Sequence, residues 1–302
     1  LDRFEELLGV PWLPGKYGSG SWSAEKLFFK VARWEEYPPT TGVPEFGYEP
    51  IELMHSYGNP KLLDKKYVMA LDVNSHYLST FSQPFGTGNP ELTTTTEFNS
   101  KRQGYWRTNI THENTPIVNG RTEWWTTSTV QFLISNGYEI KISHAVLYPY
   151  TQYPLRKWQE VVREALKQTE RGDETNIRIK RMIHSFPGLM VSEKTRNRWI
   201  RRPNWNHQIV GLARSNMTRA LLKCDVWPAV IMNDGAYFAV DSPDDIPKGL
   251  VISEQIGKWK VKAVVETNNL SGSAFESPVK LEKGVAHAQR ESKSITPSSI
   301  AS

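Results

Sequence analysis

Two apolar runs, Val226–Met232 and Ala236–Val240, flank Asn233-Asp234-Gly235. Asn and Gly reach positive φ at little cost, so this pattern specifies a β-hairpin with an acidic residue at its tip. A second short apolar run, Tyr67–Leu71, ends at Asp72 and reads as a buried strand. The chain thus offers two strand-borne carboxylates, 234 − 72 = 162 residues apart. Each has an ordinary reading, since Asp is common at strand ends and in turns. On facing strands of one sheet, the two together form a site for divalent cations.

Other metal chemistries find little support. Cys224 is the only cysteine, which excludes an internal disulfide and a thiolate site and fits a reducing, intracellular compartment. The seven His residues lack zinc-like spacing. Asp241-Ser242-Pro243-Asp244-Asp245 fits no calcium loop and reads as a solvated turn. No run of 18 apolar residues exists, and no signal peptide opens the chain. The sequence starts at Leu1 rather than Met, as an expressed fragment or a processed start would.

The formal charge of +5 over 302 residues is mild, so its distribution matters more than its sum. Lys194, Arg196, Arg198, Arg201 and Arg202 put five cations into nine residues around Trp199. That composition suits a phosphate-tracking strip with a stacking ring. Taken alone, a charge run of this kind is more often a solvated loop. Eleven Trp and twelve Tyr exceed what a core of this size needs, which places some of them at binding surfaces.

Periodicity outlines the remaining elements. A short helix is predicted near Phe4–Leu8, and Ser75 is placed to cap another after Asp72. From Gly104 to Tyr150 the chain reads as β-rich, alternating in Thr129–Phe132 and Tyr138–Ile142 around the turn Asn136-Gly137. Leu155–Gln168 and Asn176–Phe186 read as helices, the second ended by Pro187-Gly188. A third helix runs from about His207 to Leu222. Past Ser277 large apolar groups become rare, and the composition predicts a disordered tail.

Three segments, in order, carry a resemblance. Asp72-Val73-Asn74-Ser75-His76-Tyr77 resembles the first palm motif of family B DNA polymerases, Asp-x-x-Ser-Leu-Tyr-Pro, and is closest to the protein-primed phage form. Lys180 to Gly188 resembles the fingers motif Lys-x-x-x-Asn-Ser-x-Tyr-Gly, with His184 for Asn and Pro187 for Tyr. Val230–Gly235 is similar to the hairpin Tyr-x-Asp-Thr-Asp-Ser; Asp234 takes the place of its metal-binding Asp and Met232 that of the other. A register shifted by two would put Ala236 at the ligand position instead. Trp124–Thr127, Asn136–Tyr138, Leu147–Pro149, Ile209–Arg214 and Ile256–Lys260 add looser matches across residues 67–262.

The resemblance implies an α+β fold: an antiparallel-sheet polymerase palm backed by helices, with a helical fingers insertion. No exonuclease domain is expected, because only 71 residues precede Asp72 and they hold no recognisable motif for it. Such a reduced form is similar to polymerase-like segments of actinobacterial telomere-associated proteins. The implied layout is a 1–66 region packing on the palm, 67–150 palm with a β-rich insertion, and 151–190 fingers. Palm resumes over 191–263, and 264–302 is a small thumb remnant and tail.

Roles follow from the resemblance as well. Asp72, the Val73 carbonyl and Asp234 would hold two Mg²⁺, with Mn²⁺ as a substitute. Tyr77 would pack under the incoming sugar, and Lys180 would meet the phosphates from a helix face shared with His184. Lys194, Arg196, Arg198, Arg201, Arg202, Arg214, Lys258, Trp259 and Lys260 would contact DNA. The expected partners are primer–template or single-stranded DNA, dNTPs and a terminal protein primer, with no membrane. The expected location is the cytoplasm of a bacterium or phage-infected host, at the nucleoid. The departures at Met232, His184 and Pro187 point to another outcome, a pseudo-polymerase that binds DNA ends or single strands. A structural viral protein is a remoter one.

Overall fold

The computed structural model describes residues 2–12, 20–32, 34–37, 56–110, 124–195 and 199–291. In chain order the elements begin with α1 (Arg3–Leu8), α2 (Ser21–Val31), β1 (Ser56–Gly58), β2 (Tyr67–Val73), β3 (Phe85–Thr87), β4 (Glu91–Thr94) and β5 (Gly104–Thr108). Next come β6 (Trp124–Thr126), α3 (Thr127–Ser135), β7 (Ile142–Leu147), β8 (Tyr150–Gln152), α4 (Arg156–Lys167) and α5 (Glu174–Val191). The chain continues with α6 (Pro203–Leu221), β9 (Val230–Met232), β10 (Gly235–Val240), β11 (Trp259–Glu266) and α7 (Pro278–Glu291). They group into two units. β1, β2, β9, β10, β11, α7 and the end of α6 form a sheet unit, and the others form a helix-rich unit.

The sheet unit is a five-stranded antiparallel sheet in the order β1-β9-β10-β2-β11. One face carries Val68, Ala70, Val230, Met232, Tyr237, Ala263 and Val265 beneath Leu281, Val285 and Ala288 of α7. The opposite face carries Met69, Leu71, Val73, Ala236 and Phe238 against Met217 and Leu221 of α6. Covered on both sides, β2 needs no polar alternation, which is why it reads as an unbroken apolar run. The expected disordered tail is corrected by α7: three apolar residues spaced four and three apart make one buried stripe, enough to dock a helix. Residues 292–302 lie outside the described residues.

In the helix-rich unit, α1 and α2 pack on α4 and α5. Trp158 of α4 stacks on Phe186 of α5, with ring centroids 4.6 Å apart and planes within 8°. The Asp173 carboxylate caps α5, accepting from Asn176 N at 2.7 Å. α2 starts hard against α5: a Cβ on Gly20 would stand 2.8 Å from the Met182 amide nitrogen, and its φ of +90° also demands glycine. The predicted stop at Pro187 is corrected, because α5 runs on to Val191. Pro187 withholds one amide from the helix, yet its own carbonyl accepts from Asn206 Nδ2 at 2.9 Å, and the ring is buried.

β4, β7, β5 and β6 form a second antiparallel sheet, and β3 pairs with β8. The expected strand at Thr129–Phe132 is a correction too, since these residues lie in α3. Thr129, Val130, Phe132 and Leu133 are all buried, a pattern a four-residue alternation cannot tell from a strand. Strand structure resumes at Ile142, after the Asn136-Gly137 turn.

His207 on α6 is buried and shares a 2.9 Å hydrogen bond with the Tyr105 hydroxyl. Burial pushes its pKa down to about 3. Above about pH 6.5 the imidazole is neutral in both folded and unfolded chain. Below that only the unfolded chain takes the proton, so stability falls as pH drops toward the folded pKa, by on the order of 2–5 kcal/mol. Urea midpoints should therefore drop more between neutral and acidic buffer for the native chain than for His207→Gln; equal drops would refute this.

Candidate active site on the five-stranded sheet

Asp72 is the penultimate residue of β2 and has a cross-strand partner on each side: Gly235 of β10 and Lys260 of β11. The β9–β10 connection is a two-residue loop, Asn233-Asp234, with Asn233 at φ +53° as the sequence anticipates. Val73 N donates to the Asp234 carbonyl at 2.9 Å, which fixes the hairpin tip beside the end of β2. The two acidic residues, distant in sequence, are therefore immediate neighbours. Ala236 pairs with Leu71 and is buried on the opposite face from Ala70, so Asp234 is the residue next to Asp72.

The electrostatics agree with that proximity. Burial pushes the Asp72 pKa up, the Asp234 charge adds to the rise, and Lys260 and Lys262 oppose it. Lys260 Nζ lies 3.1 Å from Asp72 Oδ2. Burial also raises the Tyr237 hydroxyl, helped by the charges of Glu282, Asp72 and Asp234. Among the described residues no three His, Cys, Asp or Glu side chains cluster to hold a metal. The donor set is two carboxylates and nearby carbonyls. Two carboxylates, one of them paired with Lys260, suit Mg²⁺, which is commonly held by one or two protein carboxylates and completes its shell with water and substrate phosphates.

Asn74, the residue that separates Val73 from Ser75, clamps the loop before β11. Its N donates to Lys258 O at 2.8 Å, its carbonyl accepts from Gly257 N at 2.7 Å, and its side-chain amide donates to Glu254 O. Ser75 turns through φ +48°, and the N-cap residue of the next short helix, Leu78–Thr80, is Tyr77, which corrects the capping role expected for Ser75. At the far side of Asp72, β11 is bulged between Val261 and Ala263, so Lys262 is an extra residue, 3.9 Å from Glu282 of α7. Asn74 enters the sequence reading only as part of a motif, with no role, and Lys262, Glu282 and Tyr237 escape it as site residues. Only a Gly-containing loop beside a β-strand hints at the first, and nothing hints at the others.

Asp72, Val73, Asp234, Lys258, Trp259 and Lys260 belong to the sheet unit. Tyr77, Lys180, His184, Lys194, Arg201 and Arg202 belong to the helix-rich unit. Lys180 is half-buried and His184 exposed, one turn apart on α5. Three expected DNA contacts are corrected. Trp259 is buried in the core under α6. Arg214 is buried as well. Arg202 is 1% exposed and spends its guanidinium on the carbonyls of Tyr37 (2.7 Å), Arg201 (2.9 Å) and Trp199. Burial lowers its pKa to about 10, and Trp205 lies against it at 5.3 Å. These side chains hold the interior together, so phosphate is out of their reach. Lys194 and Lys258 are exposed, Arg201 is half-buried and bonded to Ser192 O at 3.1 Å, and Arg196 and Arg198 lie outside the described residues.

The antiparallel sheet presents a carboxylate on its interior strand β2 beside a second one on a hairpin tip, in a chain with a helix-rich unit, an arrangement compatible with a DNA-polymerase-like fold. Comparison with solved structures gives the same answer: the chain is similar to Phi29 DNA polymerase. The ternary complex with primer-template DNA and incoming nucleotide matches with a TM-score of 0.59 over 82% of this chain, at 13% identity. The binary complex with primer-template DNA matches at 0.59 over 87%, with 14% identity, and the complex with single-stranded DNA at 0.57. The chain spans 53% and 54% of the Phi29 polymerase length in these matches, about half. No family model matches the sequence, and no curated protein is similar to it. Among the described residues no helix is long and apolar enough to cross a membrane.

Proposed function

We propose that this chain carries out DNA-templated nucleotidyl transfer as the core of a family B polymerase of the protein-primed kind, in replication of a linear viral or plasmid replicon. The observation that carries this is the placement of Asp72 on the interior strand β2, beside Asp234, with their charges acting on each other. Two Mg²⁺ or Mn²⁺, held by Asp72, Asp234 and the Val73 carbonyl, would activate the attacking hydroxyl and neutralise the triphosphate. In this reading the sheet unit is the palm, and α4 and α5 are the fingers. Lys180 meets the phosphates, with His184 beside it on the same face. Tyr77 packs against the sugar. Lys258 steadies the primer strand, and Lys194 and Arg201 track the DNA backbone.

A second reading, DNA binding without catalysis, draws on two features. Met232 stands where a further carboxylate belongs, and an ammonium already pairs with Asp72. A labelled primer–template offered with dNTPs and either Mg²⁺ or Mn²⁺ separates them. Extension of the primer is the expected result. Salt-sensitive binding with no extension under either metal would select the second reading. Absence of both would sink the two together.

A further inference from the structure

Lys260 was expected to reach DNA, yet its side chain is turned to Asp72. The pair is set by the ladder, which places the residues directly opposite on β11 and β2. Nζ and Oδ2 are 3.1 Å apart, and the side chains are only 22% and 13% exposed. Such a contact is a charge-assisted hydrogen bond with little solvent screening. While it is paired with this carboxylate, the ammonium offers a DNA phosphate only part of its charge and its three donors. Lys262, on the bulge two residues later, lies 3.9 Å from Glu282 instead.

Resting on the reading of Asp72 as a cation ligand, we infer that Lys260 and a divalent cation compete for Asp72. Lys260 thereby sets the cation requirement of the site and is freed for DNA when the cation arrives. The competition is electrostatic. A cation on Asp72 meets a fixed positive charge one side chain away, and the carboxylate must give up its ammonium partner to bind it. By linkage, the same exchange makes DNA and cation strengthen each other's binding. A merely structural strut would have no such coupling.

The test is Mn²⁺ binding to the whole chain, followed by electron paramagnetic resonance of free Mn²⁺, without nucleotide or DNA, at a pH where both carboxylates are ionised. Lys260→Met is expected to bind Mn²⁺ about tenfold more tightly than the native chain. Lys260→Gln, which can still hydrogen-bond Asp72, should do the same and serves if the Met variant folds poorly. Lys260→Arg keeps the charge and should stay at the native affinity. Mn²⁺ should also raise the melting temperature of the Met or Gln variant more than that of the native chain. Asp72→Asn should lose the binding. If Asp72→Asn loses Mn²⁺ while the Met and Gln variants match or fall below the native affinity, competition by Lys260 is overturned and the cation site stands. If Asp72→Asn binds as well as the native chain, the site itself is misassigned and this inference goes with it.

Discussion

Asp72→Asn is expected to lower template-dependent incorporation by about 10³-fold or more, on the order of 4 kcal/mol of transition-state stabilisation. The substitution keeps the shape of the side chain, so β2 should retain its pairing with Gly235 and Lys260. What it removes is charge. Asp72 sits on the interior strand β2, paired on both sides and 13% exposed, and no other acidic side chain on β2 can take its place. The fold should tolerate the change. The lost ion pair with Lys260 is offset in part by relief of the burial penalty and of the repulsion from Asp234 that raise the Asp72 pKa. Primer extension and a thermal melt of the same preparation check both halves. A variant that melts like the native chain and still extends primers at a native rate would show that Asp72 is not part of the chemistry.

How far these features can be read without coordinates differs from element to element, for physical reasons. β2 and the β9–β10 hairpin were legible because local rules dominate there: an apolar run buried on both faces, and a turn whose residues tolerate positive φ. α4 and α6 were legible because their apolar stripes repeat at helical spacing over many residues. The placement of Asp72 beside Asp234 was foreseen only through the resemblance, since no local signal says which strands pair.

The misreadings share a cause, which is that tertiary packing overrode a local cue. Pro187 is a helix breaker on its own, but neighbours bury its ring and Asn206 satisfies its carbonyl. α7 looks polar residue by residue, yet three apolar contacts on one side suffice. Arg202 and Arg201 are adjacent in a cationic run, and only the fold decides that one is buried among carbonyls while the other is half-exposed. Lys260 is the most instructive case. Its type was informative, but its partner depends on register across a bulged strand, which lies beyond sequence pattern.

Trp158→Ala should cost about 3–5 kcal/mol of stability, the largest single loss expected outside the site. Its ring is fully buried, stacked on Phe186 and 5.3 Å from the Phe81 ring, and its Nε1 donates to the Ala24 carbonyl at 3.3 Å. One side chain thus ties α4 to α2, to α5 and to the segment after Asp72. Truncation opens a cavity among aromatic rings that cannot collapse without breaking the remaining contacts, and it orphans a buried carbonyl. Trp158→Phe retains the stack and loses the hydrogen bond, so it should cost less, about 1–2 kcal/mol. Urea unfolding followed by circular dichroism gives both numbers. The consequence for function runs through α5, whose Lys180 depends on the helix being held in place. The Ala variant should therefore lose nucleotide affinity at temperatures below its melting transition, and the Phe variant should not. If the Ala variant unfolds at the native urea concentration, the aromatic stack is not what holds these helices together, and the reading of α4 and α5 as a rigid phosphate-binding pair fails with it.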